Sequence, residues 1–217
     1  MALSPEALAA LRQDYATRGL NREELDPDPV NFFSRWLEEA QQAGLLEPNA
    51  MVLSTVDAEG QTWSRVVLLK AIDANGFAFF TNYKGSKARH LDHEPRAALT
   101  FWWGAMERQV NITGRIRKTS REISEQYFAN RPRPSQLGAI ASPQSSVISG
   151  RMELESRYAE AERQFQDQEI PCPEHWGGYL LEPQTIEFWQ GRRSRLHDRF
   201  RFTREKSAGW KVEQLAP

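Results

Sequence analysis

Residues 50–82 read AMVLSTVDAEGQTWSRVVLLKAIDANGFAFFTN. Three runs, AMVLSTV, TWSRVVLLKAI and GFAFFTN, are rich in β-branched and aromatic residues, which fit a pleated, half-buried surface. DAEGQ and DANG between them supply turn backbone. The stretch predicts three consecutive strands laid out as a meander. Two further strands are expected at RAALTFWW and ERQVNITGRIRK, and four more at WGGYLLEP, TIEFWQ, DRFRFTRE and GWKVEQL. Strand patterns thus lie on both sides of a helical middle, without strict strand–helix alternation. An antiparallel barrel with helices around it is the expected architecture.

The helices are read from their caps and periodicity. Ser4-Pro5-Glu6 opens a first helix, with Leu8, Leu11 and Tyr15 at helical spacing and Gly19 as its stop. Asp28-Pro29 opens a second, with Phe32, Phe33, Trp36, Leu37 and Ala40 as its apolar stripe and Gly44 at its end. A short helix is expected from Ser86 to about His93. Thr119 with Glu122 forms a capping box for another, which stops before Pro132. SQLGAIAS adds a further turn or two, and ELESRYAEAERQFQD a long polar helix. No internal repeat or low-complexity segment interrupts this pattern. The expected organisation is an N-terminal helical segment, residues 1–45, and a barrel domain, residues 46–217.

The 217 residues are 40% hydrophobic and 26% charged, a profile of an ordered globular chain that needs no disulfide scaffold. A mean hydropathy of −0.65 and the lack of a long apolar run exclude a membrane-spanning helix. The first residues lack a basic region followed by an apolar stretch, and the single cysteine, Cys172, has no partner for an internal disulfide. A reducing, cytoplasmic compartment is the expectation.

The net charge of −1 hides an uneven distribution. Residues 1–60 hold 4 basic and 11 acidic side chains, residues 61–150 hold 13 and 6, and residues 192–206 hold 7 and 2. Basic clusters inside a near-neutral chain suit a local anionic ligand better than a nucleic-acid coat. Neither a G-x-G-x-x-G, a P-loop nor a G-x-S-x-G elbow is present. His90 and His93 share a helical face, but without accompanying carboxylates or cysteines no metal site is expected.

Without a glycine-rich loop, phosphate must be held by side chains. In RVVLLK, alternation sends Arg65, Val67 and Leu69 to one face and Val66, Leu68 and Lys70 to the other. In YFANRPRPS, Tyr127 and Arg131 lie four apart, with Ser135 beyond a proline-fixed turn. These three groups either converge on a phosphate or form a helix C-terminus with an arginine near its dipole. In RLHDR, a strand would project Arg195, His197 and Arg199 to one side. Such a face is costly without an anion to oppose it, though a charged strand edge also resists aggregation.

The ordered set RVVLLK, FFTN, ERQV, YFANRPRPSQLGA, SPQSS, WGG, FWQG and RLHDR resembles the pyridoxamine 5'-phosphate oxidase family, from about residue 12 to the terminal LAP. The resemblance implies an α+β, mainly β chain. Its fold would be an FMN-binding split β-barrel (antiparallel) with surrounding helices and a C-terminal dimerisation region. It implies a homodimer holding FMN at the subunit interface. The implied reaction is oxidation of pyridoxamine 5'-phosphate or pyridoxine 5'-phosphate to pyridoxal 5'-phosphate, with O2 as acceptor and H2O2 as product. Hydride would pass from the substrate's C4' to N5 of FMN. Neither nucleic acid nor membrane is an implied partner; the alternatives are another split-barrel flavin oxidoreductase and, behind it, a non-catalytic flavin- or nucleic-acid-binding protein.

By position, the resemblance implies FMN contacts at Arg65, Val66, Leu68, Lys70, Phe80, Thr81, Ser86, Lys87, Gln109, Gln144, Ser145, Trp189 and Arg199. Lys70, Tyr127, Arg131 and Ser135 match the substrate-phosphate site. Arg195, Leu196 and His197 match the stretch against the pyridine ring, with Arg195 and His197 in the catalytic role. Arg12 and Tyr15 match a segment closing over the substrate, which makes residues 1–45 a lid as well as a packing element. One departure stands out. The family reads S-R-K after the FFTN strand, whereas this chain has Lys84-Gly85-Ser86-Lys87, with Ser86 at the arginine position.

Overall fold

The structure is a computed structural model that describes residues 4, 15, 18–206 and 209–217. The expected first helix, with Leu8, Leu11 and Arg12, lies outside the described residues. The chain divides into two compact units. The first contains the described residues up to Pro48 together with Phe101–Asn111 and Thr185–Pro217. The second contains Asn49–Thr100 and Ile112–Gln184.

The second unit holds most of the sheet. Strand β1 (Ala50–Val56) pairs antiparallel with β2 (Thr62–Leu68), and β3 (Ala71–Asp73) with β4 (Gly76–Asn82). With β5 (Arg96–Trp103), β6 (Arg108–Lys118) and β7 (Trp176–Gln190), the order is β2-β1-β5-β6-β7-β4-β3. The expected meander is therefore corrected, because β2 and β3 lie at opposite ends of this order. The reason is a change of hydrogen-bond partner. The Leu69 amide donates to Asn49 O at 2.9 Å, and the next amide, Lys70, donates to Ala78 O at 2.8 Å. One strand thus turns a corner and becomes two.

Helices of this unit are α2 (Ser86–His93), α3 (Arg121–Ala129), α4 (Arg133–Ala141) and α5 (Arg151–Gln164). The Ser86–His93 helix matches its expected span. The cap of α3 is corrected by one residue. Ser120 Oγ accepts from the Ile123 amide, while the Thr119 hydroxyl pairs with Ser124 Oγ at 3.1 Å. The core combines Met51, Leu53, Phe77, Phe79, Leu99, Ile112 and Leu181, all at most 1% exposed. A second cluster joins Phe128, Leu137, Ala141, Ala161, Ile170 and Trp176 under α3–α5.

The first unit is built around α1 (Pro29–Gln42), where Asp28 caps the helix by accepting from the Val30 amide at 2.9 Å. Its predicted stripe buries Phe32, Phe33, Trp36 and Ala40, with Leu37 half-buried. These rings meet Phe101, Trp103 and Phe188 at centroid distances from 4.5 Å (Phe32–Phe188) to 6.4 Å (Trp36–Trp103), mostly edge-on or tilted. The end of β7 pairs with β8 (Asp198–Arg204), and β8 with β9 (Trp210–Leu215), all antiparallel. WGGYLLEP and TIEFWQ, expected as two strands, are one 15-residue strand. Pro183 removes a donor there without ending the extended backbone. Among the described residues, no helix is long and apolar enough to cross a membrane.

Candidate active site

In the second unit, a cavity of about 540 Å³ gathers eleven of the expected residues. β2 and the corner after it contribute Arg65, Val66, Leu68 and Lys70. β4 contributes Phe80 and Thr81, and α2 contributes Lys87. The α3–α4 region adds Tyr127, Arg131 and Ser135, and Gln144 follows α4. Val67 lines the cavity as well, so both faces of β2 contribute. The expected alternation shows in the burial: Arg65 and Val67 are half-buried and Leu69 buried, while Val66 and Lys70 are exposed.

At one group of residues, Lys87 Nζ donates to Gln144 Oε1 at 2.7 Å and to Thr81 Oγ1 at 3.2 Å. Burial, then the Arg65 charge, lowers the Lys87 ammonium below its ordinary value, and burial lowers the Arg65 guanidinium. Two desolvated cations near each other, satisfied by neutral acceptors, form a site for an anion. Ser86, at the variant position, does not line the cavity. Its Oγ accepts from Arg89 Nη2 at 3.0 Å, so a guanidinium from the next helical turn stands beside it. Ser145 is exposed in a left-handed conformation, φ 68°, and also lies outside the lining.

At a second group, Phe80, Tyr127 and Trp176 stack as three nearly parallel rings. The Phe80–Tyr127 centroids are 3.9 Å apart at 10°, and Phe80–Trp176 are 5.6 Å apart at 13°. The Arg131 guanidinium lies 4.8 Å from the Trp176 ring centroid. Arg131 Nη1 is buried without a hydrogen-bond partner, and burial depresses its ionisation. A buried guanidinium donor left open is an expensive arrangement that an incoming oxyanion resolves. Burial raises the Tyr127 phenol, an effect opposed by the Arg131 charge. Trp176 was missed in the sequence reading, where WGG appeared as the start of a strand. Its signal was an aromatic immediately before two glycines.

The remaining expected residues lie in the first unit. Trp189 packs against His197 at 4.6 Å and against Tyr15 at 5.6 Å, and Tyr15 meets His197 edge-on at 5.6 Å. His197 Nδ1 accepts from the Arg192 amide at 3.1 Å. Burial, then the Arg195 charge, lowers its pKa, with Asp198 opposing. Arg199 donates to Glu187 Oε1 at 2.8 and 2.9 Å and to Ala216 O at 2.9 Å. Gln109 is half-buried on β6, and Leu196 is exposed.

The shared strand face expected for Arg195, His197 and Arg199 is corrected. Arg193–Arg195 form a 3-10 turn, and the strand begins only at Asp198. Ser194 (φ 56°) and Arg195 (φ 61°) are both left-handed, which turns the chain before β8. Arg12 lies outside the described residues.

A family model described as Pyridoxamine 5'-phosphate oxidase matches residues 37–165, and one described as Pyridoxine 5'-phosphate oxidase C-terminal dimerisation region matches residues 176–217. The chain is 52% identical to the pyridoxine/pyridoxamine 5'-phosphate oxidase of Rubrobacter xylanophilus, over 97% of this chain and 96% of that protein. It is 51% identical to the one from Pseudomonas paraeruginosa, over 98% and 99%. Among solved structures, PhzG from Burkholderia lata in complex with tetrahydrophenazine-1-carboxylic acid superposes with a TM-score of 0.85 at 30% identity, covering 90% of this chain and 95% of that one. A pyridoxamine 5'-phosphate oxidase-related, FMN-binding protein from Nostoc punctiforme has a TM-score of 0.71 at 15% identity, over 89% and 99%, and shares the fold. The fold class is thus α+β, mainly β, the antiparallel split barrel with surrounding helices. Relatives at half identity over nearly their full length are oxidases, so the chain is an oxidoreductase. It belongs to the pyridoxine/pyridoxamine 5'-phosphate oxidase family.

Proposed function

We propose that the chain oxidises pyridoxamine 5'-phosphate or pyridoxine 5'-phosphate to pyridoxal 5'-phosphate with FMN as cofactor, O2 as acceptor and H2O2 as product. The alcohol gives up two electrons and two protons to O2; the amine additionally takes up water and releases ammonia. The observation that carries the reading is Arg131 Nη1, buried and unpartnered in a cavity that Lys70, Tyr127 and Ser135 also line. That donor set suits a phosphate monoester. Arg65, Lys87, Thr81 and Gln144 suit a second phosphate, that of FMN, and Phe80, Val66 and Leu68 offer apolar surface to its ring. Bound FMN would supply the hydride acceptor.

The chain's own residues bind and orient. Lys70, Tyr127, Arg131 and Ser135 would hold the substrate phosphate, spending binding energy on position. Arg195 would lie against the pyridine ring, and His197, kept neutral near pH 7, would orient the substrate or accept a proton. Gln109, Ser145, Trp189, Arg199 and Ser86 are proposed as further cofactor contacts, Leu196 as a substrate contact, and Arg12 with Tyr15 as the segment that closes over it. The match of residues 176–217 to a dimerisation region supports a homodimer with FMN bound between two copies. We further propose a cytoplasmic location.

A second reading, a split-barrel flavin oxidoreductase with another substrate, is favoured by the likeness to PhzG. Purified protein supplied with each B6 phosphate separates the two. The proposal expects a yellow protein that releases one H2O2 per pyridoxal 5'-phosphate formed. Flavin uptake without conversion of either phosphate overturns the reaction, and failure to take up FMN overturns the cofactor.

A further inference from the structure

Arg65 does not stand alone in the cavity wall. Its Nη1 donates to Thr55 Oγ1 at 2.6 Å, to Trp63 O at 3.0 Å and to Leu53 O at 3.2 Å. Arginine only donates, so Thr55 Oγ1 is the acceptor in that bond. Thr55 is 1% exposed on β1, and its oxygen also lies 3.0 Å from His90 Nδ1 on α2. A buried hydroxyl whose oxygen is already engaged must send its own proton to an acceptor. A neutral imidazole with its proton on Nε2 would supply that acceptor at Nδ1. The order is therefore Arg65 N–H to Thr55 O–H to His90 Nδ1, each donor polarised by the one before it.

The surroundings favour the neutral imidazole. Burial, then Arg65 on β2 and Arg89 on α2, oppose a positive charge there, while Asp57 and Glu59 in the β1–β2 turn favour it. Trp63 flanks the ring at 6.2 Å and is itself tied by Nε1 to Asp57 Oδ2 at 2.7 Å.

We infer that Thr55 and His90 are positioning residues that fix the Arg65 guanidinium by one of its nitrogens, leaving the rest of the fork oriented for a phosphate oxyanion. The inference rests on the reading of Arg65 as an FMN-phosphate contact and goes beyond it. Neither Thr55 nor His90 lines the cavity. Their effect is confined to the ligand's phosphate, because that is the group Arg65 would meet.

The test compares two flavins that differ only in that phosphate. The full chain, stripped of flavin, is titrated with FMN and with riboflavin by flavin fluorescence. Thr55→Val, isosteric but without the hydroxyl, is expected to weaken FMN binding about tenfold, the scale of one hydrogen bond to a charged group, with riboflavin affinity unchanged. Thr55→Ser restores FMN affinity. His90→Leu loses severalfold for FMN alone, and His90→Asn, which keeps an acceptor, loses less. Nitrogen NMR of the imidazole is expected to find the proton on Nε2 at neutral pH.

Equal losses for both flavins in Thr55→Val and His90→Leu would mean ordinary structural damage and overturn the inference. Native FMN affinity in both variants, alongside an FMN-selective loss in Arg65→Ala, would remove the relay and leave the phosphate reading intact. Arg65→Ala without an FMN-selective loss would overturn both. A proton found on Nδ1 would reverse the chain of donors and likewise overturn it.

Discussion

Replacing Arg131 by methionine should separate binding from stability, because the structure gives the two effects opposite origins. The guanidinium has one buried nitrogen without a partner. Such a donor costs about 1–3 kcal/mol, which the substitution recovers. It also forfeits the cation–π contacts with Trp176 at 4.8 Å and Phe128 at 5.7 Å, together worth roughly 0.5–2 kcal/mol at a half-buried site. Methionine keeps the apolar stem over the rings, so the packing loss is small. The difference lies between about −1 and +2.5 kcal/mol, so stability should rise, or fall by no more than about 1 kcal/mol. Substrate binding has no such compensation. A charge-assisted bond to phosphate is worth about 1.5–3 kcal/mol, or roughly 10- to 150-fold in affinity. The assay pairs urea unfolding of the flavin-free chain with steady-state kinetics. KM for pyridoxine 5'-phosphate should rise at least tenfold with FMN affinity unchanged. A large loss of stability with an unchanged KM would refute the reasoning and make Arg131 a member of the ring stack only.

The other predictions concern the turn before β8 and the sheet. Arg195→Ala should reduce turnover far more than FMN content; unchanged turnover removes Arg195 from the reaction. His197 is lowered from its ordinary value by burial and Arg195, so its neutral form persists below the unfolded-chain value of about 6.5 and is lost only as pH falls through the lower folded value. Accordingly kcat/KM should decline only below about pH 6.5, and Arg195→Ala should move that limb upward; a limb at or above about pH 6.5 contradicts the assignment. Gly114→Ala would put a Cβ 2.0 Å from the Glu182 carbonyl oxygen, in a strand that cannot withdraw, and should cost about 3 kcal/mol or more by urea unfolding. Gly44→Ala meets nothing within 4 Å and should cost only the left-handed penalty of about 1–2 kcal/mol. Equal costs at the two glycines would discount the close approach.

What the sequence disclosed follows the range of the forces involved. The Pro29–Gln42 helix was legible because cap, proline and stripe sit within one short window. The corner at Leu69–Lys70 was not. Its cause is a switch of acceptor from Asn49 to Ala78, and nothing in V-V-L-L-K records which strands will be nearby. The turn before β8 was hidden for a different reason. Ser194 and Arg195 take left-handed backbone without a glycine to announce it, so R-R-S-R-L-H reads as extended. In β2 and the corner after it, alternation was legible, with Arg65, Val67 and Leu69 more buried than Val66 and Lys70.

The cavity itself was legible as charge before it was legible as shape. Elsewhere in the chain, arginines close on carboxylates: Arg108 on Glu39, Arg117 on Glu182, Arg199 on Glu187. The cavity of the second unit is lined by Arg65, Lys70, Lys87 and Arg131 and by no aspartate or glutamate among the described residues. Its partly buried cations bond to hydroxyl, amide and carbonyl oxygens, which satisfy donors without cancelling charge. That choice keeps a positive potential at a low-dielectric surface, where each opposite charge supplied from outside counts most. A carboxylate placed there would stabilise the empty chain and fill the site it was meant to serve. The cavity's four cations belong to the 13 basic residues between 61 and 150. Introducing one acid, as in Ser135→Asp, should therefore raise the melting temperature of the flavin-free chain while weakening phosphate-bearing substrates by at least the tenfold expected for Arg131→Met. A variant that binds them as well as the parent would show that the missing carboxylates are incidental.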